Sequence, residues 1–160
     1  MWWIVGVVAV VVLVATYVTW TAARVDRLHV RAAAAYGALD AHLVRRAATA
    51  IELADQLARA ELRQAARAAL EAVAEDREPT ENDLTRELRR LPLDGEPPVA
   101  AMVAASRQVA LTRQVHNDSV RDALAVRRQP LVRLLRLARR HPQPRYFDVD
   151  DPMLDPGVPA

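Results

Sequence analysis

The sequence predicts an all-α protein: an N-terminal transmembrane helix that continues into an antiparallel helical bundle or long helical hairpin. Three observations carry that prediction. The first 23 residues hold no charged side chain. From Val25 to Asp76 there is no Pro and a single Gly, Gly37, while apolar residues recur at helical intervals. The chain is also rich in Ala, Arg, Leu and Val, with only four Gly and all ten Pro beyond residue 78, a composition that favours long helices.

Residues 1–23, MWWIVGVVAVVVLVATYVTWTAA, are long enough to cross roughly 30 Å of hydrocarbon as a helix. Trp2 and Trp3 stand at one end and Tyr17 and Trp20 at the other, where amphipathic rings favour the headgroup region. A soluble core helix of a small domain needs a polar face, and this segment has none. A cleaved signal peptide needs a basic start and a shorter apolar run. Arg24, Arg27 and Arg31 follow the span, whereas only the α-amino group precedes it. The positive-inside rule therefore predicts a single-pass cell-membrane protein, N-terminus out and soluble domain cytoplasmic.

The soluble part is expected over residues 24–147, in four helices. The first covers about 24–76, with Leu28, Ala32, Ala35, Leu39, Leu43, Ala50, Leu53 and Leu57 on one face and a kink or break somewhere in 46–60. Glu78-Pro79 closes that pattern. Thr80 then reads as an N-cap with Asp83 three residues on, opening a helix over 80–90. Residues 91–98, LPLDGEPP, read as a loop. A helix over 99–128 follows, with Val103, Val109, Ala110, Val115, Val120 and Leu124 apolar. Pro130 suits the first turn of a last helix over 130–140, and His141-Pro142-Gln143-Pro144 stops it. The acidic, Pro-containing tail 148–160 reads as extended or disordered. Short loops imply antiparallel neighbours.

Charge is distributed in blocks. Residues 24–46 carry five Arg and two Asp; residues 52–91 carry seven Arg and ten acids; residues 107–145 carry ten Arg and two Asp. Such blocks face one another or an anionic surface. All 22 basic residues are Arg, a bias that a GC-rich coding sequence produces without any function. The absence of cysteine excludes disulfides, thiolate metal sites and cysteine nucleophiles.

Two stretches resemble the LemA family. Tyr36-Gly37-Ala38-Leu39-Asp40-Ala41-His42-Leu43-Val44-Arg45-Arg46 is similar to the family's segment in which an aromatic precedes Ile-Asp, Gln-Leu and a basic pair. His116-Asn117-Asp118-Ser119-Val120-Arg121 resembles its Tyr-Asn-x-x-Val motif, Pro130 falls where its Phe-Pro lies, and Tyr146-Phe147-Asp148 resembles its closing aromatic-acidic segment. The family's Leu-Ile-Pro-Asn-Leu is here Thr49-Ala50-Ile51-Glu52-Leu53, without the helix-bending Pro. His116 replaces the Tyr, and Gln129 the Phe, so the chain looks like a divergent, arginine-rich member. The resemblance implies an anchored cytoplasmic helical bundle and supplies no activity.

No catalytic constellation, metal site or cofactor site is predicted. His29, His42, His116 and His141 show no H-E-x-x-H or other helical metal-ligand spacing. A hydrolase built on Asp40, His116 and Asp118 requires those residues to converge beside a pocket. Asp40, Arg45 and Arg46 are expected to pair with the Asn117–Arg121 region as a polar cluster that fixes register or binds a partner. Arg133, Arg136, Arg139 and Arg140 form the basic face of the 130–140 helix, which either packs on the bundle with its Arg solvated or meets anionic lipid. The functional expectation is a non-enzymatic membrane-anchored scaffold or adaptor; the alternatives are an anionic-lipid-binding module or an accessory subunit of a membrane enzyme. Its predicted partners are the bilayer and either an unidentified protein or a second copy. Nucleic acid is not expected, because few aromatics stand near the Arg-rich segment to stack bases.

Overall fold

The computed structural model describes residues 1–91 and 97–154. They form α1 (Trp2–Gln56), α2 (Ala60–Glu71), α3 (Arg77–Leu88), α4 (Pro97–Arg127), α5 (Pro130–Leu134) and a 3-10 turn, η1 (Leu137–Arg140). No strand occurs among the described residues. Two compact units are present: Met1–Ala34 with Asp118–Arg145, and Ala35–Asn117 with the segment from Tyr146 on.

In the first unit, the opening stretch of α1 is apolar on every side, and none of the described residues packs over it. From Trp2 to Tyr17 each residue is exposed, and only 6% of the helix's most apolar window is buried. The unit's core lies beyond that stretch, where Val25, Val126, Val132 and Ala138 meet with Leu28 and Leu137 against them.

The second unit is built on stripes of three-and-four spacing, the pattern that keeps one helix face turned to its neighbours. On α1 the buried positions are Leu39, Leu43, Arg46, Ala47, Ala50, Leu53 and Ala54; on α4 they are Val99, Met102, Ser106, Val109 and His116. The larger core joins Ala47, Ala50, Leu53 and Ala54 of α1 and Val99 and Met102 of α4 to Leu62, Ala66 and Ala69 of α2 and Leu84 and Leu88 of α3. A smaller cluster holds Leu39, Leu43, Val109, Phe147 and Val149. With so many Ala in the core, helix backbones approach closely and few large side chains are needed.

The expected helix over 24–76 breaks after Gln56, inside the 46–60 window. The break is a C-terminal cap in which Ala58 takes the left-handed conformation, φ 50°. The Arg59 amide donates to Ala54 O at 2.9 Å and the Ala58 amide to Asp55 O at 3.4 Å, the paired bonds that close a helix end. Glycine normally occupies that position. Packing supplies the reason for stopping there, because the turn brings Leu62 back onto the core that Leu53 and Ala54 already fill. Leu57, expected in the apolar stripe, is 42% exposed as a result.

Three further expectations are corrected. Pro79 does not end a helix and Thr80 does not cap one: α3 starts at Arg77 and takes both into its first turn. A first-turn proline gives up an N–H that has no helical acceptor anyway. The Thr80 hydroxyl donates to the Asp76 carbonyl at 2.8 Å. The 130–140 segment is not one helix. It is five residues of α5, a left-handed Arg136 (φ 52°), then η1, which places Val132 and Ala138 on the same core. Val115 is 56% exposed rather than apolar core.

The tail is extended, one of the two expected states, and it is also packed down. From Tyr146 to Leu154 it runs extended, with Phe147, Val149 and Leu154 buried. Side chains of α3 and α4 hold its main chain in place of a partner strand. Asn117 accepts from the Phe147 amide at 3.0 Å and donates to its carbonyl at 3.2 Å. Glu78 accepts from the Asp148 amide and Asn82 from that of Asp150, while Arg113 donates to Val149 O. Residues 92–96 of the expected loop and 155–160 of the tail lie outside the described residues.

Relieving the left-handed strain at Ala58 tests this account of the break. Ala58→Gly is expected to stabilise the chain by up to about 1 kcal/mol, and Ala58→Val to destabilise it by at least that much, both read from thermal unfolding of the full chain in detergent.

Candidate functional site

The second unit buries an ion pair. Arg46, fully buried on α1, replaces an apolar residue in the helix stripe. Its Nη1 donates to Glu81 Oε2 at 2.8 Å, its Nη2 to Thr85 Oγ1 at 2.9 Å and its Nε to Ser106 Oγ at 3.1 Å. Glu81 and Thr85 sit one turn apart on α3, so one helix face presents both acceptors, while Ser106 comes from α4. The Thr85 hydroxyl donates its hydrogen bond to Glu81 O at 2.8 Å, leaving the hydroxyl oxygen free to accept. Arg77, one turn before Glu81, donates to Asp40 Oδ1 and, at 3.0 Å, to Ala69 O.

Burial shifts both partners in the direction that disfavours charge. It pushes the Glu81 carboxyl up, with Arg46 opposing, and the Arg46 guanidinium down, with Glu81 opposing. Such a pair adds little net stability, yet breaking it strands a charge in the core at a cost of about 3–5 kcal/mol.

The first unit has its own polar knot. Nδ1 of His29 lies 2.8 Å from Val25 O, and Arg127 Nη1 lies 3.0 Å from His29 Nε2. A carbonyl only accepts and a guanidinium only donates, so these neighbours require a neutral ring protonated at Nδ1. The same Arg127 nitrogen reaches Ala138 O and His141 O, each at 3.2 Å. The His141 ring stacks on His29 at 4.6 Å and its Nε2 meets Asp26 Oδ1 at 2.8 Å. Burial holds the His29 pKa below its ordinary value; His141 and Arg127 add to that, while the Val25 bond and Asp26 oppose it.

The polar residues singled out in the sequence do not form the expected cluster. Asp40 is taken by Arg77, Arg46 by Glu81, and Asn117 by the main chain of Phe147. Arg45 is exposed. Arg121 pairs at 2.9 Å with Asp118 on its own helix, both exposed. His116 is buried with its ring 5.6 Å from that of Tyr36. Asp40 thus faces Arg77, His116 stands beside the Tyr36 ring, and Asp118 faces Arg121. Arg133, Arg136, Arg139 and Arg140 are all exposed. No group of three or more His, Asp or Glu among the described residues is placed to hold a metal ion.

Sequence reasoning missed Glu81, Arg77, Thr85, Ser106 and the His29–Arg127 contact. One signal was present: Arg46 falls four residues before Ala50 and three after Leu43, in register with the apolar stripe. A cation in that slot calls for a buried acceptor.

The chain matches no family model, no curated protein and no solved structure. The resemblance of residues 36–46 and 116–121 to LemA proteins therefore rests on those residues alone.

Two expectations follow. Glu81→Ala should destabilise the chain by about 3–5 kcal/mol, whereas Arg46→Met combined with Glu81→Leu should recover most of that loss, in denaturant titrations of the full chain. The second concerns pH. Because the folded state depresses the His29 pKa, its contribution is present above the unfolded value of about 6.5 and is lost as pH falls below it. Acidification from about pH 7.5 to 5.5 should lower the melting temperature, and His29→Gln should make that fall smaller.

Proposed function

We propose that this chain is a membrane-anchored, non-enzymatic helical scaffold or adaptor of LemA type, with residues 1–23 spanning the cell membrane and the bundle in the cytoplasm. The observation that carries this reading is the opening of α1. It has an apolar surface on every side, and its window is long enough to cross a bilayer with almost none of it buried. In water such a surface is costly, at about 25 cal/mol for each Å² left exposed. In lipid the same helix satisfies all its backbone groups internally. Arg24, Arg27 and Arg31 at the emerging end favour the cytoplasmic side. The rest of the chain supports an adaptor rather than an enzyme: Arg46, Arg77, Asn117 and Arg127 are spent on holding helices and tail together.

Alkaline carbonate extraction and protease protection test the reading together. The full chain is expected to stay in the membrane pellet, with residues 24–154 cut only after the cytoplasmic face is opened. Release into the soluble fraction, or cleavage of that region by protease added outside, would contradict it.

A further inference from the structure

The segment expected to be an amphipathic helix is instead a strap fastened to α1 just past its apolar run. Val132 and Ala138 pack on Val25, His141 pairs with Asp26, and Arg127 links His29 to the Ala138 and His141 carbonyls. Ala23 is the last residue of the uncharged run. At 1.5 Å per residue, Val25 stands about 3 Å beyond it and His29 about 9 Å. The polar headgroup layer on each side of a bilayer is about 5–8 Å deep. If residues 1–23 span, the strap is fastened within that layer at Val25 and Asp26 and at its outer edge at His29.

Its exposed chemistry matches the depth. Arg133, Arg136, Arg139 and Arg140 point into solvent, and none pairs with a carboxylate among the described residues. Between them Leu134 is 79% exposed, more than any other large hydrophobic residue described outside the apolar run. The left-handed Arg136 splits the segment, so α5 and η1 each bury one small residue and turn their Arg outward. Closer to the run, the Arg24 guanidinium lies over the Trp20 ring at 5.7 Å, an arrangement suited to the same boundary.

We infer that residues 133–140 form a collar that binds the anionic phosphodiester headgroups of the leaflet from which α1 emerges, with Leu134 entering the acyl boundary. This rests on the membrane-anchor reading above. A second copy fits the surface poorly, because like faces would bring four Arg against four. Nucleic acid fits poorly too, since no aromatic ring other than His141 lies between residues 128 and 145 to stack a base. Anionic lipid answers both features, Arg by charge and Leu134 by depth.

The chain has no cysteine, so Leu134→Cys carries a single environment-sensitive label. The full chain is reconstituted in bilayers of phosphatidylcholine alone or with phosphatidylglycerol, and bound lipid is counted by native mass spectrometry after mild detergent release. Label at position 134 should be quenched by lipids bearing a quencher near the headgroup and protected from aqueous iodide. Phosphatidylglycerol should be retained several-fold above its share of the membrane, since each Arg at the surface is worth about fivefold. Changing Arg133, Arg136, Arg139 and Arg140 together to Gln should abolish most of that enrichment, with the helical circular dichroism unchanged. A chain that resists carbonate extraction yet shows no enrichment, or an unaltered one in the Gln variant, overturns the collar alone. A chain released by carbonate overturns the anchor reading and the collar with it.

Discussion

The second unit is organised around the guanidinium of Arg46. It occupies a slot in the α1 stripe where every neighbouring position is aliphatic, and three of its nitrogens are met by acceptors from α3 and α4. Aliphatic helix faces lined with Ala and Leu tolerate sliding, since one small apolar contact replaces another at little cost. A buried cation does not tolerate it. Any register of α3 that removes Glu81 and Thr85 leaves the charge unpaired in the core, a penalty of several kcal/mol set against a total stability of about 5–15 kcal/mol. The pair therefore selects one arrangement from many that hydrophobic contact alone allows. Arg77 extends the same logic along α3, tying Asp40 of α1 and the end of α2.

Much of the fold was legible in the sequence. Leu39, Leu43 and Leu53 declared the buried stripe of α1, and the uncharged run and the proline-marked helix start at 130 were readable from spacing alone, whereas Pro97 and Pro98, read as loop, open α4. What was not legible depended on distant contacts. No residue near Ala58 announces a turn; the chain bends there because Leu62 gains burial beside Leu53, which outweighs the left-handed strain at a non-glycine residue. Pro79 was misread because proline stops a helix in its interior yet is harmless in a first turn. The site residues failed for a related reason. Asp40 and Arg46 were identified as polar anchors, but their partners, Arg77 and Glu81, lie in an acidic block whose exposed and buried members look alike in sequence.

The tail shows how side chains substitute for a strand. Phe147 and Val149 alternate inward, with Asn117 bonding both main-chain groups of Phe147, Glu78 the Asp148 amide and Arg113 the Val149 carbonyl. Each of those side chains was available for an ion pair or a binding role, and the structure commits them to holding the tail. The first unit makes the same choice with Arg127, whose guanidinium serves one imidazole and two carbonyls. In both units these polar side chains serve to hold the chain together.

Protection of the Arg46 side chain is the most direct measure of that central contact. In full chain selectively labelled at Arg nitrogen, with Arg46→Lys used for assignment, the Arg46 Nε–H is expected to exchange with solvent far more slowly than that of exposed Arg45, and rotation of its guanidinium is expected to be hindered. Exchange as fast as that of Arg45 would contradict the account, because it would mean that water reaches the cation and that α1, α3 and α4 are not held by it.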